Sequence, residues 1–243
     1  MKKVFLLAAT FILSFTSANA QWWGNEKVKG NGKVVTDNRS TSDYDEVQLV
    51  GFMTVELMAG TEGRLEVEAE SNLQEYIITE VSGGKLKISV QKGVQIAPSG
   101  NNEIKITVPF KDLEGVSLTG SGDILTRDKI KSDSFSASVT GSGDVNLELN
   151  VNHLKGTITG SGDINFKGTA NNFKCNVTGS GDFEAYDLRA KYVDASVSGS
   201  GDVMVNASEK LTARVSGSGD ISYKGNPEKE DFKTSGSGSV SSY

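Results

Sequence analysis

Residues 139–145 read VTGSGDV, and the same pattern returns at 118–124 (LTGSGDI), 158–164 (ITGSGDI), 177–183 (VTGSGDF), 197–203 (VSGSGDV) and 215–221 (VSGSGDI). The motif aspartates are Asp123, Asp144, Asp163, Asp182, Asp202 and Asp220, with Ser239 in the seventh place. Their separations are 21, 19, 19, 20, 18 and 19 residues. Self-similarity at a nearly constant period of this length is the signature of a solenoid.

One residue after each motif aspartate stands Ile124, Val145, Ile164, Phe183, Val203 or Ile221, and five before it Leu118, Val139, Ile158, Val177, Val197 or Val215. Seven before it the slot is narrower: Val116, Ala137, Gly156, Cys175, Ala195 and Ala213. Nine before it, five of the six repeats carry Phe135, Leu154, Phe173, Val193 or Leu211. All these offsets are odd, so in an extended chain they share one face. The even offsets are polar and point outward: Thr119 and Ser121, Thr140 and Ser142, Thr159 and Ser161, Thr178 and Ser180, Ser198 and Ser200, Ser216 and Ser218. The length variation falls in Lys-, Asn- and Gly-rich returns such as NVNH, KGTANN and LRAK, which read as surface loops.

Each repeat is therefore one coil, and parallel in-register coils about 4.8 Å apart make a β-helix. The expected fold is all-β, a right-handed parallel β-helix with a thin core, residues 112–243 supplying the GSGD coils. Residues 44–111 also alternate with period two between Gly-rich turns and read as a more irregular β portion of the same domain. Only NLQEYIITEV, Asn72 to Val81, has the pattern of a short helix.

The first twenty residues stand apart. Lys2 and Lys3, the apolar run Val4 to Phe15 and the small-residue site Ala18-Asn19-Ala20 form a secretory signal. Gln21 stands where a lipoprotein would have cysteine, and no later apolar run reaches the ~18 residues needed to span a bilayer. The chain is expected to be exported to the periplasm, the outer surface or the medium. Residues 21–43 are polar and Gly-dotted apart from Trp22 and Trp23, and read as a flexible lead-in.

Without the leader 23 basic residues face 31 acidic ones, a net charge of −8. That balance argues against nucleic acid and anionic membranes as partners. A single cysteine, Cys175, excludes an internal disulfide and falls in the small inward slot. A single histidine, His153, lies in a return and leaves little material for a metal cluster or a triad.

Two physical reasons would select the motif glycines: positive φ at a corner, or close approach of neighbouring backbone. For the aspartates the first expectation is corner capping, a carboxylate accepting nearby N–H groups. The second is a line of Ca²⁺ ions along Asp123, Asp144, Asp163, Asp182, Asp202 and Asp220. Stacked carboxylates repel by about 0.9 kcal/mol per pair even in water, and a hard cation would relieve this. Catalysis ranks third, because an active site breaks a repeat and no coil clusters an acid and a base in different environments. No cofactor is expected.

The signal, Tyr44-Asp45-Glu46-Val47, LEVEAESNLQEYIITEV, GGKLKI and the VSLTGSGDI-type array together resemble a bacterial family of unknown function, the auto-transporter adhesin, head GIN domain, common among Bacteroidota. The resemblance covers Tyr44 to Tyr243. It implies a β-helix-like exported domain with an adhesive role and brings no catalytic residues. No C-terminal membrane barrel of the autotransporter kind is expected, and Ser239 replaces the motif aspartate where the ladder stops. The function expected is a non-enzymatic envelope or surface protein binding glycan, protein or further subunits through its regular Thr/Ser face. The alternative is a β-helical polysaccharide lyase or glycosidase, which an elongated groove or a cluster of non-repeating acidic, basic and aromatic residues would favour. The edge of the last coil is an expected site of oligomerisation.

Overall fold

The computed structural model describes residues 26–243; the signal segment and Trp22 and Trp23 lie outside the described residues. The chain is a parallel β-solenoid. Along one side of the stack the strands run Lys85–Val90, Glu46–Gly51, Gly115–Gly120, Ile130–Gly141, Asp144–Gly160, Ile164–Gly179, Phe183–Gly199, Val203–Gly217 and Lys229–Gly236, each parallel to the next. Inward residues of the central coils follow the expected parity. Val145, Leu147, Leu149 and Val151 are buried, as are Leu154, Gly156 and Ile158, and the alternation skips a residue at the exposed Asn152 and His153, where the chain bends.

The central returns are strands rather than loops, while residues 127–129 and 225–228 in the first and last returns are loops. Extended chain continues from Asp144 through the bend to Gly160 because the in-register parallel pairing goes round with it. Side-chain ladders accompany it there: Asn171 Nδ2 donates to Asn152 Oδ1 at 2.7 Å and Thr169 Oγ1 to Asn150 Oδ1 at 3.0 Å. In the later coils, departures from a nineteen-residue period are absorbed by register shifts between Asn165 and Gly168, between Glu184 and Arg189 and between Ala190 and Tyr192.

The N-terminal coils are stacked out of sequence order. Glu46–Gly51 sits between Gly115–Gly120 on one side and the later Lys85–Val90 on the other. Register aligns Gly51, Phe52, Met53 and Thr54 with Gly120, Ser121, Gly122 and Asp123, so this coil carries a degenerate copy of the corner. Antiparallel strands close that end: Arg64–Glu70 pairs with Lys105–Phe110, Val34–Ser40 with Arg64–Glu70, and Ile77–Ser82 with Lys85–Val90. A parallel edge left open would be a template for further pairing.

Two expectations are corrected here. Residues 21–43 are not a flexible lead-in throughout, since Glu26–Lys29 and Val34–Ser40 are strands. They are held by backbone pairing and by side chains: the Arg39 guanidinium donates to the carbonyls of Ile77 and Gln74. Almost none of that depends on burial, so no hydrophobic period marks it. The helix-like stretch gives only a 3-10 turn, Gln74–Tyr76, before the strand Ile77–Ser82 pairs with its neighbour.

Glu70 fastens this cap. Its side chain is buried at 1 % exposure and accepts the Ser99 hydroxyl, the Ser99 N–H at 2.8 Å and the Gly32 N–H. These bonds, the Ser99 hydroxyl foremost, hold its carboxyl below the usual glutamate range. A depressed folded value stabilises above the ordinary value of 4.5, and that contribution is lost as pH falls through the folded value. Glu70→Gln is expected to melt below the wild type at pH 7, the gap closing in acid; thermal melts from pH 7 to pH 3 check this.

Candidate binding face and corner ladder

Both reasons for the corner glycines apply. The first glycine of each motif has positive φ, +126° at Gly160, and a Cβ there would lie 2.3 Å from the Gly141 carbonyl oxygen. The second needs no unusual φ but is equally crowded: at Gly162 a Cβ would lie 2.1 Å from the Gly143 oxygen. The corner packs backbone on backbone, and each coil hooks onto the last, with Ser142 and Gly143 N–H both donating to the Gly120 carbonyl at 2.9 and 3.1 Å.

The aspartates extend that hook. Asp144 Oδ1 accepts the Asp163 N–H at 3.0 Å, Asp163 Oδ1 that of Asp182 at 2.8 Å, and Asp182 Oδ1 that of Asp202 at 2.7 Å. Asp202 does the same for Asp220, and Asp220 for Ser239. Asp123, at the start, has its pKa raised by burial and then by the Asp144 charge. Among the described residues no group of three or more His, Cys, Asp or Glu is arranged to hold a metal ion. Asp163→Asn keeps the acceptor and removes a like charge, so it should melt at or above the wild type. Asp163→Ala should cost about 1 kcal/mol, the net worth of one hydrogen bond. Repeating these melts with millimolar Ca²⁺ and with EDTA tests the cation reading, which requires a calcium-induced rise that the Asn variant lacks.

The twelve Thr and Ser residues of the outward strip are exposed. Register stacks Thr119, Thr140, Thr159, Thr178, Ser198 and Ser216 in one column. Further back on the same arm lies a feature absent from the sequence reading, a groove of about 700 Å³ crossing the coils. Its floor is Phe135, Leu154, Phe173 and Val193, none more than 3 % exposed. Its walls change from coil to coil: Ser134 and Ser136, His153 and Lys155, Asn172 and Lys174, Tyr192 and Asp194, Lys210 and Thr212, with Glu46 and Glu114 at one end. His153 is thus a strand residue in the groove, not part of a loop. The signal for this face was in the sequence, at ten and eight residues before the aspartates from Asp144 onward, but apart from Lys155 and Lys174 those positions change residue from coil to coil and a search for repeats passes over them.

Cys175 is fully buried and burial pushes its thiol pKa up. Thiol reagents are expected to leave the native protein unlabelled and to label it once unfolded; labelling followed by mass spectrometry checks this.

Fold and groove together define a β-solenoid with a lateral polar face, and no helix among the described residues is long and apolar enough to cross a membrane. The chain belongs to the family described as "Putative auto-transporter adhesin, head GIN domain", whose model matches residues 43–227. It is similar to the crystal structure of a putative adhesin from Bacteroides fragilis, with 26 % identity, a TM-score of 0.82 and 89 % of this chain and 100 % of that one covered. A putative lipid binding protein from Parabacteroides distasonis shares 30 % identity at a TM-score of 0.72, with 90 % and 100 % covered. A putative adhesin from the same species shares the fold at 23 % identity and a TM-score of 0.74, over 90 % of this chain and 100 % of that one. No match was found among curated proteins.

Proposed function

We propose that the protein is an exported, non-enzymatic binding module of the bacterial envelope, an adhesin whose ligand lies across the groove and the adjoining Thr/Ser strip. One observation carries this reading. The corner glycines, aspartates and inward slots repeat from coil to coil, whereas the groove walls do not. Repetition answers to stacking; a face that varies on a repeating scaffold answers to something outside the chain. The adhesin description of the family and the secretory leader support the same reading.

The test is binding of the labelled protein to bacterial cells, host matrix and immobilised polysaccharide. Replacing Lys155, Tyr192 and Lys210 together by alanine is expected to lower binding at least tenfold, and Thr159→Val with Thr178→Val by less. Wild-type binding by both variants would refute the assignment. N-terminal sequencing of exported protein should begin at Gln21.

The elongated groove favours one rival, a polysaccharide-active enzyme. A glycosidase needs two carboxylates flanking the scissile bond. In the central coils the groove offers only Asp194, bridged to Lys174 at 3.1 Å. A lyase would use lysine, histidine or tyrosine, which are present. Release of unsaturated or reducing ends from uronate polymers, lost in Tyr192→Phe, would move the protein to that class.

A further inference from the structure

We infer that the middle of the groove is a subsite for an acidic sugar of a polysaccharide, an inference that rests on the groove being the binding face. Register sets Lys155 beside Lys174 on adjacent coils, with His153 beside Asn172 one step along the same strands. Like charges directly opposite in neighbouring strands are destabilising. Asp194, on the next coil, answers Lys174 at 3.1 Å. Among the described residues no carboxylate pairs with Lys155; Glu46, a groove acid, is taken by Lys85 at 2.7 Å. Lys155 is therefore an exposed groove cation with no carboxylate partner among the described residues, free to meet an anion from outside.

The surroundings narrow the chemistry of the missing anion. Tyr192 is 45 % exposed, an uncovered aromatic ring in register with Asn172. An aromatic face for the apolar face of a pyranose, an amide for its hydroxyls and an ammonium for its acid group make a site for a uronate or sulfated sugar. The coils stand about 4.8 Å apart, comparable to the rise of one sugar in an extended polysaccharide, so successive sugars meet successive coils. The protein's net negative charge opposes long-range attraction, but screening over about 8 Å at physiological ionic strength confines the contest to local groups.

The experiment is calorimetric titration of the protein with hexagalacturonate, a heparin hexasaccharide and neutral maltohexaose. At least one acidic chain is expected to bind ten times more tightly than maltohexaose, and the stronger of the two identifies carboxylate or sulfate as the preferred group. Lys155→Gln should weaken that binding tenfold or more, Lys155→Arg should retain it, and Tyr192→Ala should weaken it. The melting temperatures of all three should stay close to wild type, because both residues are exposed. Equal binding of the neutral chain, no binding of either acidic chain, or an unchanged Lys155→Gln affinity overturns the subsite. If the subsite fails while the groove variants still lose surface binding, the adhesin reading stands; if surface binding also survives in those variants, both fall.

Discussion

Gly160→Ala is expected to lower the unfolding midpoint by about 10 °C, from a cost on the order of 3–5 kcal/mol at 2–4 °C per kcal/mol for a chain of this size. Two penalties combine. Alanine is strained at φ +126°, and its Cβ would stand 2.3 Å from the Gly141 carbonyl oxygen, with backbone nitrogen and carbon at 3.1 and 3.2 Å. None of these is the end of a flexible side chain, so relief requires two coils to separate where the Gly141 carbonyl accepts the Ser161 and Gly162 N–H groups at 2.8 and 3.1 Å. Gly162→Ala isolates the steric part, since only crowding opposes it there. Gly83→Ala isolates the conformational part: φ is +59° with nothing within 4 Å, and the cost should be about 1 kcal/mol. A midpoint for Gly160→Ala within 2 °C of wild type would mean that the coils are not in backbone contact at the corner.

The corners were legible because their cause is local. A residue that must be glycine in every coil repeats in every coil, and the odd-offset apolar columns repeat for the same reason. The degenerate corner at Gly51-Phe52-Met53-Thr54 was not legible, although register places it in the same stack. Met53 can replace the second glycine because the coil beyond it, Lys85–Val90 and Lys105–Phe110, brings no equivalent corner against it. The out-of-order stacking of that coil is a long-range choice that no spacing encodes. The cap strand Val34–Ser40 was hidden because Arg39 and main-chain pairing hold it, not burial. The groove was hidden by the opposite of repetition. Its walls differ from coil to coil, so although Lys155, Lys174 and Asp194 hold the same place in the period and stand side by side, no repeated residue type draws attention to them.

Phe183→Ala is the second large effect, an expected loss of about 3–5 kcal/mol. Phe183 is fully buried and packs edge-on to Phe166 at 5.2 Å and tilted against Phe173 at 5.5 Å. Its ring crosses the thin core to the opposite arm, where Gly156 leaves room: a Cβ on Gly156 would meet the Phe183 ring at 2.3 and 2.5 Å. At Gly156 the small inward slot is thus the counterpart of a large side chain, with volume removed on one arm where the Phe183 ring arrives from the other. The pairing predicts a coupling that no repeat-by-repeat account would. Gly156→Ala alone should cost about 1–3 kcal/mol through overpacking. With Phe183→Leu, which withdraws the ring, the double variant should be more stable than the two single losses predict, by about 1 kcal/mol or more. Urea unfolding of the four proteins closes the cycle. Additivity within about 0.5 kcal/mol would show that the ring does not occupy the space Gly156 leaves, and that the narrow slot there has another cause.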